Sequence, residues 1–209
     1  MQFSELTSWM RATENKPLVL GYGSLMSSDS RRRFSNIEHQ GLLVQVAGYT
    51  RAWITRSLEE QQTYVGALPD AQGCLNAQLI ATDIDPALSD REKDYQFEQV
   101  PVTQISTHLP TQSAQALQNF LGEKRVYICR SLASYPAEAN YPIHRSYVDT
   151  CMAGCLEAGG EEAAKTFVEQ TGHWNQHLID DRHEPQYPRA AKVSPAHRDI
   201  IDTILGALL

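Results

Sequence analysis

Leu6, Trp9 and Met10 recur at helical spacing, so residues Ser4 to Thr13 are predicted to form a short leading helix. An unbroken apolar run, Leu18-Val19-Leu20, then meets Gly21-Tyr22-Gly23-Ser24-Leu25. A continuous apolar run closed by glycines predicts a buried strand over Leu18–Tyr22 that ends in a turn. Ser28–Phe34 reads as a helical turn capped by Ser or Asp. β-Branched and aromatic residues fill Leu42–Tyr49 and Arg51–Thr55, which are predicted strands around Gly48. Tyr64–Leu68 is another short strand. In Cys74–Ile80, Leu75, Ala77 and Leu79 oppose Asn76 and Gln78, the alternation of a half-buried strand.

Asp85-Pro86-Ala87-Leu88 is a helix start, with Asp85 as cap and Pro86 in the first turn. That helix carries Asp90, Arg91 and Glu92. Gln96–Val102 is predicted extended, Thr107–Glu123 irregular, and Val126–Cys129 a strand. A long helix is expected from Pro142, with Ile143, Tyr147, Val148, Cys151, Gly154, Cys155 and Ala158 on one face and Gly159-Gly160 as its end. Two further helices are predicted in the tail, one around Ala164, Phe167 and Val168, the other around Ile200, Ile201, Ile204 and Leu205. The strands come mostly early and the long helices late, which is an α+β order and allows a small mixed β-barrel flanked by helices.

Composition narrows the function. The 209 residues are 42% hydrophobic, enough for one domain of ordinary size with an appendage. A formal charge of −7 argues against a nucleic-acid or anionic-membrane surface. The basic cluster Arg31-Arg32-Arg33 reads as a solvated helix face. No apolar run reaches the length of a membrane span, and the first residues do not form a signal peptide. Cysteines 74, 129, 151 and 155 form no CxxC pair, so a reduced, cytoplasmic chain is expected.

Two places carry candidate chemistry. The turn Tyr22-Gly23-Ser24-Leu25 can present consecutive backbone N–H groups to a bound oxygen, with glycine supplying dihedral freedom and close approach. Glu92 reads either as part of a solvated helix face or as a proton-transferring carboxylate facing a pocket. Other signals are weaker. His173 and His177 stand at i, i+4 with His183 beyond, but without an acidic partner motif they read as surface histidines, and no metal is expected. Cys151 and Cys155 read as buried thiols. Ser24 lacks the Gly-x-Ser-x-Gly context of a hydrolase nucleophile.

Taken in order, Tyr-Gly-Ser-Leu after a strand and Leu88-x-x-x-Glu92-x-x-Tyr95 before another resemble the gamma-glutamylcyclotransferase-like superfamily. The resemblance continues through Val126-Tyr127-Ile128 and Pro142-Ile143-His144-Arg145-Ser146-Tyr147. It spans about Leu18 to Ala158 and implies a domain over 1–158, with 159–209 as a helical extension packed on it. It also implies a reaction in which the substrate's own α-amine attacks its γ-glutamyl carbonyl, giving 5-oxoproline and a released amine or amino acid. Glu92 would be the acid/base. Backbone donors of Tyr22, Gly23, Ser24 and Leu25 would hold substrate oxygens, and Tyr95 and Tyr127 would supply hydroxyls. No cofactor is implied, and the partner is a small γ-glutamyl compound. Lys93 departs from the glycine that follows this glutamate in many relatives. Met26-Ser27 stands where the glutathione-degrading branch, which Gly48–Trp53 resembles, often has tryptophan. An inactive small-molecule binder on the same fold is the alternative. Beyond the resemblance, Asp180–Arg189 reads as a surface loop with a local charge network of Asp181, Arg182, Glu184 and Arg189. A sharper reading puts the loop over the pocket mouth, with Arg182 or Arg189 on a substrate carboxylate.

Overall fold

The apolar run forms β1 (Leu18–Gly21), buried at every position. A computed structural model describes residues 1–174 and 177–208. β1 lies between β3 (Gln62–Ala81), to which it is antiparallel, and β6 (Val126–Ser131), to which it is parallel. β2 (Leu42–Ser57) pairs along β3, and β4 (Tyr95–Gln99) pairs with β6. With the short β5 (Ile105–Ser106) the order is β4-β6-β1-β3-β2-β5, and β8 (Thr171–Gly172) also joins β2. The sheet curls into a half-barrel.

The shortness of β1 opens a gap in the sheet. Beyond its end β3 and β6 pair directly, Ala67 opposite Arg130. The sheet parts for β1 and closes again above it, so the chain leaving Gly21 must turn out of the sheet. Such a break beside the carboxyl end of a parallel strand is where open α/β sheets hold ligands.

The helices are α1 (Phe3–Ala12), α2 (Ser28–Ser35), α3 (Pro86–Arg91), α4 (Thr111–Gly122), α5 (Arg145–Glu169) and α6 (Pro195–Leu208). α1 meets α4 through an edge-on contact of Trp9 and Phe120, with centroids 5.9 Å apart. Phe167 of α5 and Ile201, Ile204 and Leu205 of α6 join the same buried cluster as Leu20 and Leu75 of the sheet. Residues 175, 176 and 209 of the expected extension lie outside the described residues. Among the described residues no helix is long and apolar enough to cross a membrane.

Several expectations need correction. The two strands expected around Gly48 are one strand, β2; Gly48 takes φ +86° where the register shifts between Ala47 and Tyr49, and residues 70–73 of β3 bulge opposite it. The stretches around Tyr64 and Leu75, on the two sides of that bulge, are likewise parts of one strand, β3. The segment expected to be irregular contains α4, because Ser113, Leu117 and Leu121 share a buried face at i, i+4 spacing despite polar neighbours. The long helix begins at Arg145, not Pro142. Ile143–His144 is a strand, β7, parallel to β9 (Leu178–Ile179). The break expected at Gly159-Gly160 is present inside α5, where both glycines leave helical dihedrals and Gly160 takes φ +66°. Arg32 and Arg33 are exposed as expected, but Arg31 is buried.

Candidate active site

The turn after β1 is held from behind. Ser24–Met26 forms a single 3₁₀ turn. The Tyr22 carbonyl accepts a hydrogen bond from Arg51 Nη1 at 3.1 Å. The Leu25 and Met26 carbonyls both accept from Arg31 Nη1, the latter at 2.9 Å. Gln78 Nε2 also donates to Met26 O at 2.9 Å. Both guanidinium groups are buried, and burial lowers each to about 10. Arg51 completes its shell with neutral acceptors, Thr171 Oγ1, the Asn76 carbonyl and side chain, and Phe167 O, and stacks 3.9 Å over the Phe167 ring. The Tyr22, Leu25 and Met26 carbonyls are taken up by these donors, and residues Gly21 to Leu25 all line a cavity. The first N–H groups of a helical turn lack intrahelical acceptors, and here they belong to residues lining a pocket.

The glycines serve space, not a left-handed backbone. Neither Gly21 nor Gly23 has positive φ. A Cβ on Gly21 would lie 2.5 Å from Ile80 Cδ1, and one on Gly23 would lie 2.8 Å from both Val65 Cγ2 and the Tyr147 hydroxyl.

Glu92 approaches the same pocket from the other side. Asp85 caps α3 by accepting from Leu88 N at 2.8 Å, and the helix ends with Glu92 as its C-terminal cap. The Glu92 carbonyl then accepts from Tyr95 N at 3.0 Å, which starts β4. The Glu92 side chain is only 12% exposed. Burial raises its pKa, while the cations Arg91 and Arg189 and the Cys129 thiol pull it back, and Asp94 adds to the rise. Arg91 Nε stands 3.4 Å from the Glu92 carboxylate. The rest of that guanidinium is fixed by serine hydroxyls, at 3.0 Å to Ser24, 3.3 Å to Ser30 and 2.5 Å to Ser35. Arg91 thus ties the helix carrying Glu92 to the turn and to α2.

The pocket wall draws together distant parts of the chain. It includes Gly21, Tyr22, Gly23, Ser24, Leu25, Glu92 and Tyr95, all singled out from sequence. Tyr127 does not line it. It precedes Cys129 by two residues on β6, and Cys129 does line it. The side-chain hydroxyls of Tyr22 and Tyr95 are engaged by backbone: Tyr95 donates to Val65 O at 2.7 Å, and Tyr22 donates to Cys129 O while accepting from Ala67 N at 3.2 Å. Burial pushes both phenols well above their ordinary range. Sequence reasoning missed Glu60, Tyr64, Cys129, Tyr147 and Tyr187 as wall residues. Three of these rings pack as a triangle, with Tyr147 4.7 Å from both Tyr64 and Tyr187, and Tyr64 5.6 Å from Tyr187. Tyr187 donates to Ser24 Oγ at 2.7 Å.

The segment before α6 divides its arginines. Arg189 lines the pocket. Arg182 does not, being held by Asp149 at 2.6 and 2.8 Å and by both Asp202 oxygens at 2.8 Å. Asp181 is buried and accepts from the Ser146 backbone and hydroxyl, so the local charge network expected within 181–189 is instead a set of contacts reaching α5 and α6. Among the described residues no three His, Cys, Asp or Glu side chains are grouped to hold a metal ion.

No family model matches the sequence, and no curated protein does. Solved structures do match the fold. A gamma-glutamyl cyclotransferase superposes with a TM-score of 0.52 at 12% identity, covering 90% of this chain and 99% of the other. An uncharacterized protein from Homo sapiens gives 0.50 at 12% identity, covering 90% and 98%. The chain therefore has the gamma-glutamyl cyclotransferase-like fold, a mixed α+β half-barrel flanked by helices.

Proposed function

We propose that this protein cyclises a γ-glutamyl amide to 5-oxoproline and releases the attached amine or amino acid. The observation that carries the reading is Glu92: a carboxylate only 12% exposed and raised in pKa, in a pocket wall that also holds the Gly21–Leu25 turn and the more exposed carboxylates Glu60, Asp90 and Asp94. The fold likeness supports the same reading.

The chemistry asks little of the protein beyond what these residues offer. The substrate's α-ammonium must lose a proton before it can attack, and a carboxylate with a raised pKa is a suitable acceptor near neutral pH. The freed amine attacks the γ-carbonyl carbon, and the N–C bond forms as the carbonyl electrons move to oxygen. Backbone donors of Gly23, Ser24 and Leu25 stabilise that oxyanion without a cation. The oxyanion collapses, the bond to the leaving nitrogen breaks, and Glu92 returns its proton to that nitrogen; the ring nitrogen gives up its second proton, which leaves with the released amine as its ammonium. Water is neither consumed nor formed. Holding the substrate folded, with nucleophile and carbonyl in one molecule, supplies much of the acceleration. A serine nucleophile is not called on, and Ser24 Oγ already accepts from both Arg91 and Tyr187.

A binding protein on this fold is the second reading. The place of Glu92 in the pocket wall favours turnover over binding alone. The test is a panel of γ-glutamyl amino acids, peptides and amines, with products resolved by mass. The proposal expects 5-oxoproline from at least one of them. Glutamate as the product would mean hydrolysis, and no product from any would leave the binder.

A further inference from the structure

The strap between β9 and α6 is anchored more firmly than a connector requires. On the way to the pocket, Gln186 N donates to Asp181 Oδ2 at 2.7 Å and Tyr187 N to Ser146 Oγ at 3.2 Å. At and past it, Arg189 O accepts from Ser30 Oγ at 3.0 Å and Ala190 O from Arg33 Nη1 at 3.1 Å. Ala191 N donates to Thr150 Oγ1 at 3.0 Å and Lys192 N to Asp29 Oδ2 at 2.9 Å. These bonds fix the strap to α2 and α5 on both sides of Tyr187 and Arg189, the residues that enter the pocket wall.

Arg189 is the wall cation with donors to spare. Arg91 is engaged by three serine hydroxyls, and Lys93 is exposed and paired with Glu59. Among the described residues the Arg189 side chain makes only long hydrogen bonds, Nε to the Tyr187 hydroxyl at 3.3 Å and Nη1 to Glu60 at 3.4 Å. The other Glu60 oxygen accepts from the Tyr64 hydroxyl, so that carboxylate does not depend on Arg189. A guanidinium matches a carboxylate with two parallel N–H donors. It also stands further out than the proton-transfer group, 22% exposed against 12% for Glu92 and 4% for Arg91. On the cyclisation reading, a substrate with its glutamyl unit at Glu92 would carry its leaving group outward, toward the more exposed Arg189.

We propose that Arg189 binds a carboxylate on the leaving group, so that γ-glutamyl amino acids are taken in preference to γ-glutamylamines. This rests on the cyclisation reading and adds a specificity residue from a strap outside the resemblance.

The test uses γ-glutamylalanine and γ-glutamylethylamine, which differ only by the leaving-group carboxylate. Their Kd values are measured by calorimetry in the Glu92→Gln background, where turnover does not interfere. The alanine compound is expected to bind tenfold or more tighter, roughly the worth of a charge-assisted pair. Adding Arg189→Ala should abolish that ratio, Arg189→Lys should keep part of it, and Glu60→Gln should widen it by freeing the guanidinium. Arg189→Lys also serves if the alanine variant fails to fold. Equal loss of both ligands on Arg189→Ala would assign the guanidinium to the glutamyl carboxylate they share and overturn the proposal. So would two ligands bound equally well with Arg189 intact, which leaves the cyclisation reading standing. Binding of neither ligand would overturn both together.

Discussion

Tyr22→Phe removes one oxygen from the seam where β1 stops. That hydroxyl donates to the Cys129 carbonyl of β6 and accepts from Ala67 N of β3, in the gap just below the point where those strands meet directly. It does for the two strands what another residue of β1 would have done. Phenylalanine keeps the ring but leaves one buried N–H and one buried carbonyl without this partner. Each such group costs about 1–3 kcal/mol, so the variant should lose about 2–6 kcal/mol. For a chain of this size that is a fall in Tm of roughly 5–20 °C. Thermal unfolding by circular dichroism measures it, and hydrogen exchange at Ala67 locates it. The same hydroxyl faces the sheet seam, so kcat of the folded variant should fall less than about tenfold, well short of the loss expected of an acid/base. An unchanged Tm with unchanged exchange at Ala67 would refute the bridging role. A collapse of kcat at full stability would mean that the hydroxyl belongs to the reaction.

Glu92→Gln should be more stable than the wild type at about pH 8 and match it near about pH 4. Burial raises the folded pKa of Glu92 above its ordinary 4.5, so its adverse contribution is absent below that value, grows as pH rises from there to the folded value, and is constant above it. A stability difference that does not vary with pH would contradict this. Arg182→Ala breaks the paired bonds to Asp149, whose side chain is 4% exposed, and should cost about 2–3 kcal/mol in urea unfolding. Because Arg182 lies off the pocket, relative kcat/KM across the γ-glutamyl panel should stay unchanged, and a shift in preference would show that its network reaches the site.

Local pattern reveals some of this fold and hides the rest for identifiable reasons. The run Leu18–Leu20, the Asp85-Pro86 helix start and the Gly159-Gly160 break are written in adjacent residues, and each is found where the pattern puts it. α4 was hidden because Gln and Asn fill its outer face and a serine, Ser113, takes one place on its buried face, leaving Leu117 and Leu121 as its main apolar signal. The continuity of β2 and β3 was hidden because Gly48 on β2 and the bulge at 70–73 on β3 interrupt the alternation without ending either strand. In the pocket, the turn and Glu92 stand out as short motifs. The tyrosine triangle does not, since Tyr64, Tyr147 and Tyr187 come from β3, α5 and the strap, and only the folded topology makes them neighbours. Arg31 misled for a related reason: in a run of three arginines nothing local marks the one that turns inward to hold the Leu25 and Met26 carbonyls.

The central claim is that one carboxylate carries both proton transfers. The direct measurement is the rate of 5-oxoproline release by wild type and Glu92→Gln, side by side on the best substrate of the panel, with folding of the variant checked by circular dichroism. Gln keeps the shape of the side chain and cannot cycle a proton, so the account predicts a loss in kcat of about 10²-fold or more. A folded Glu92→Gln variant that turns over at close to the wild-type rate would contradict it.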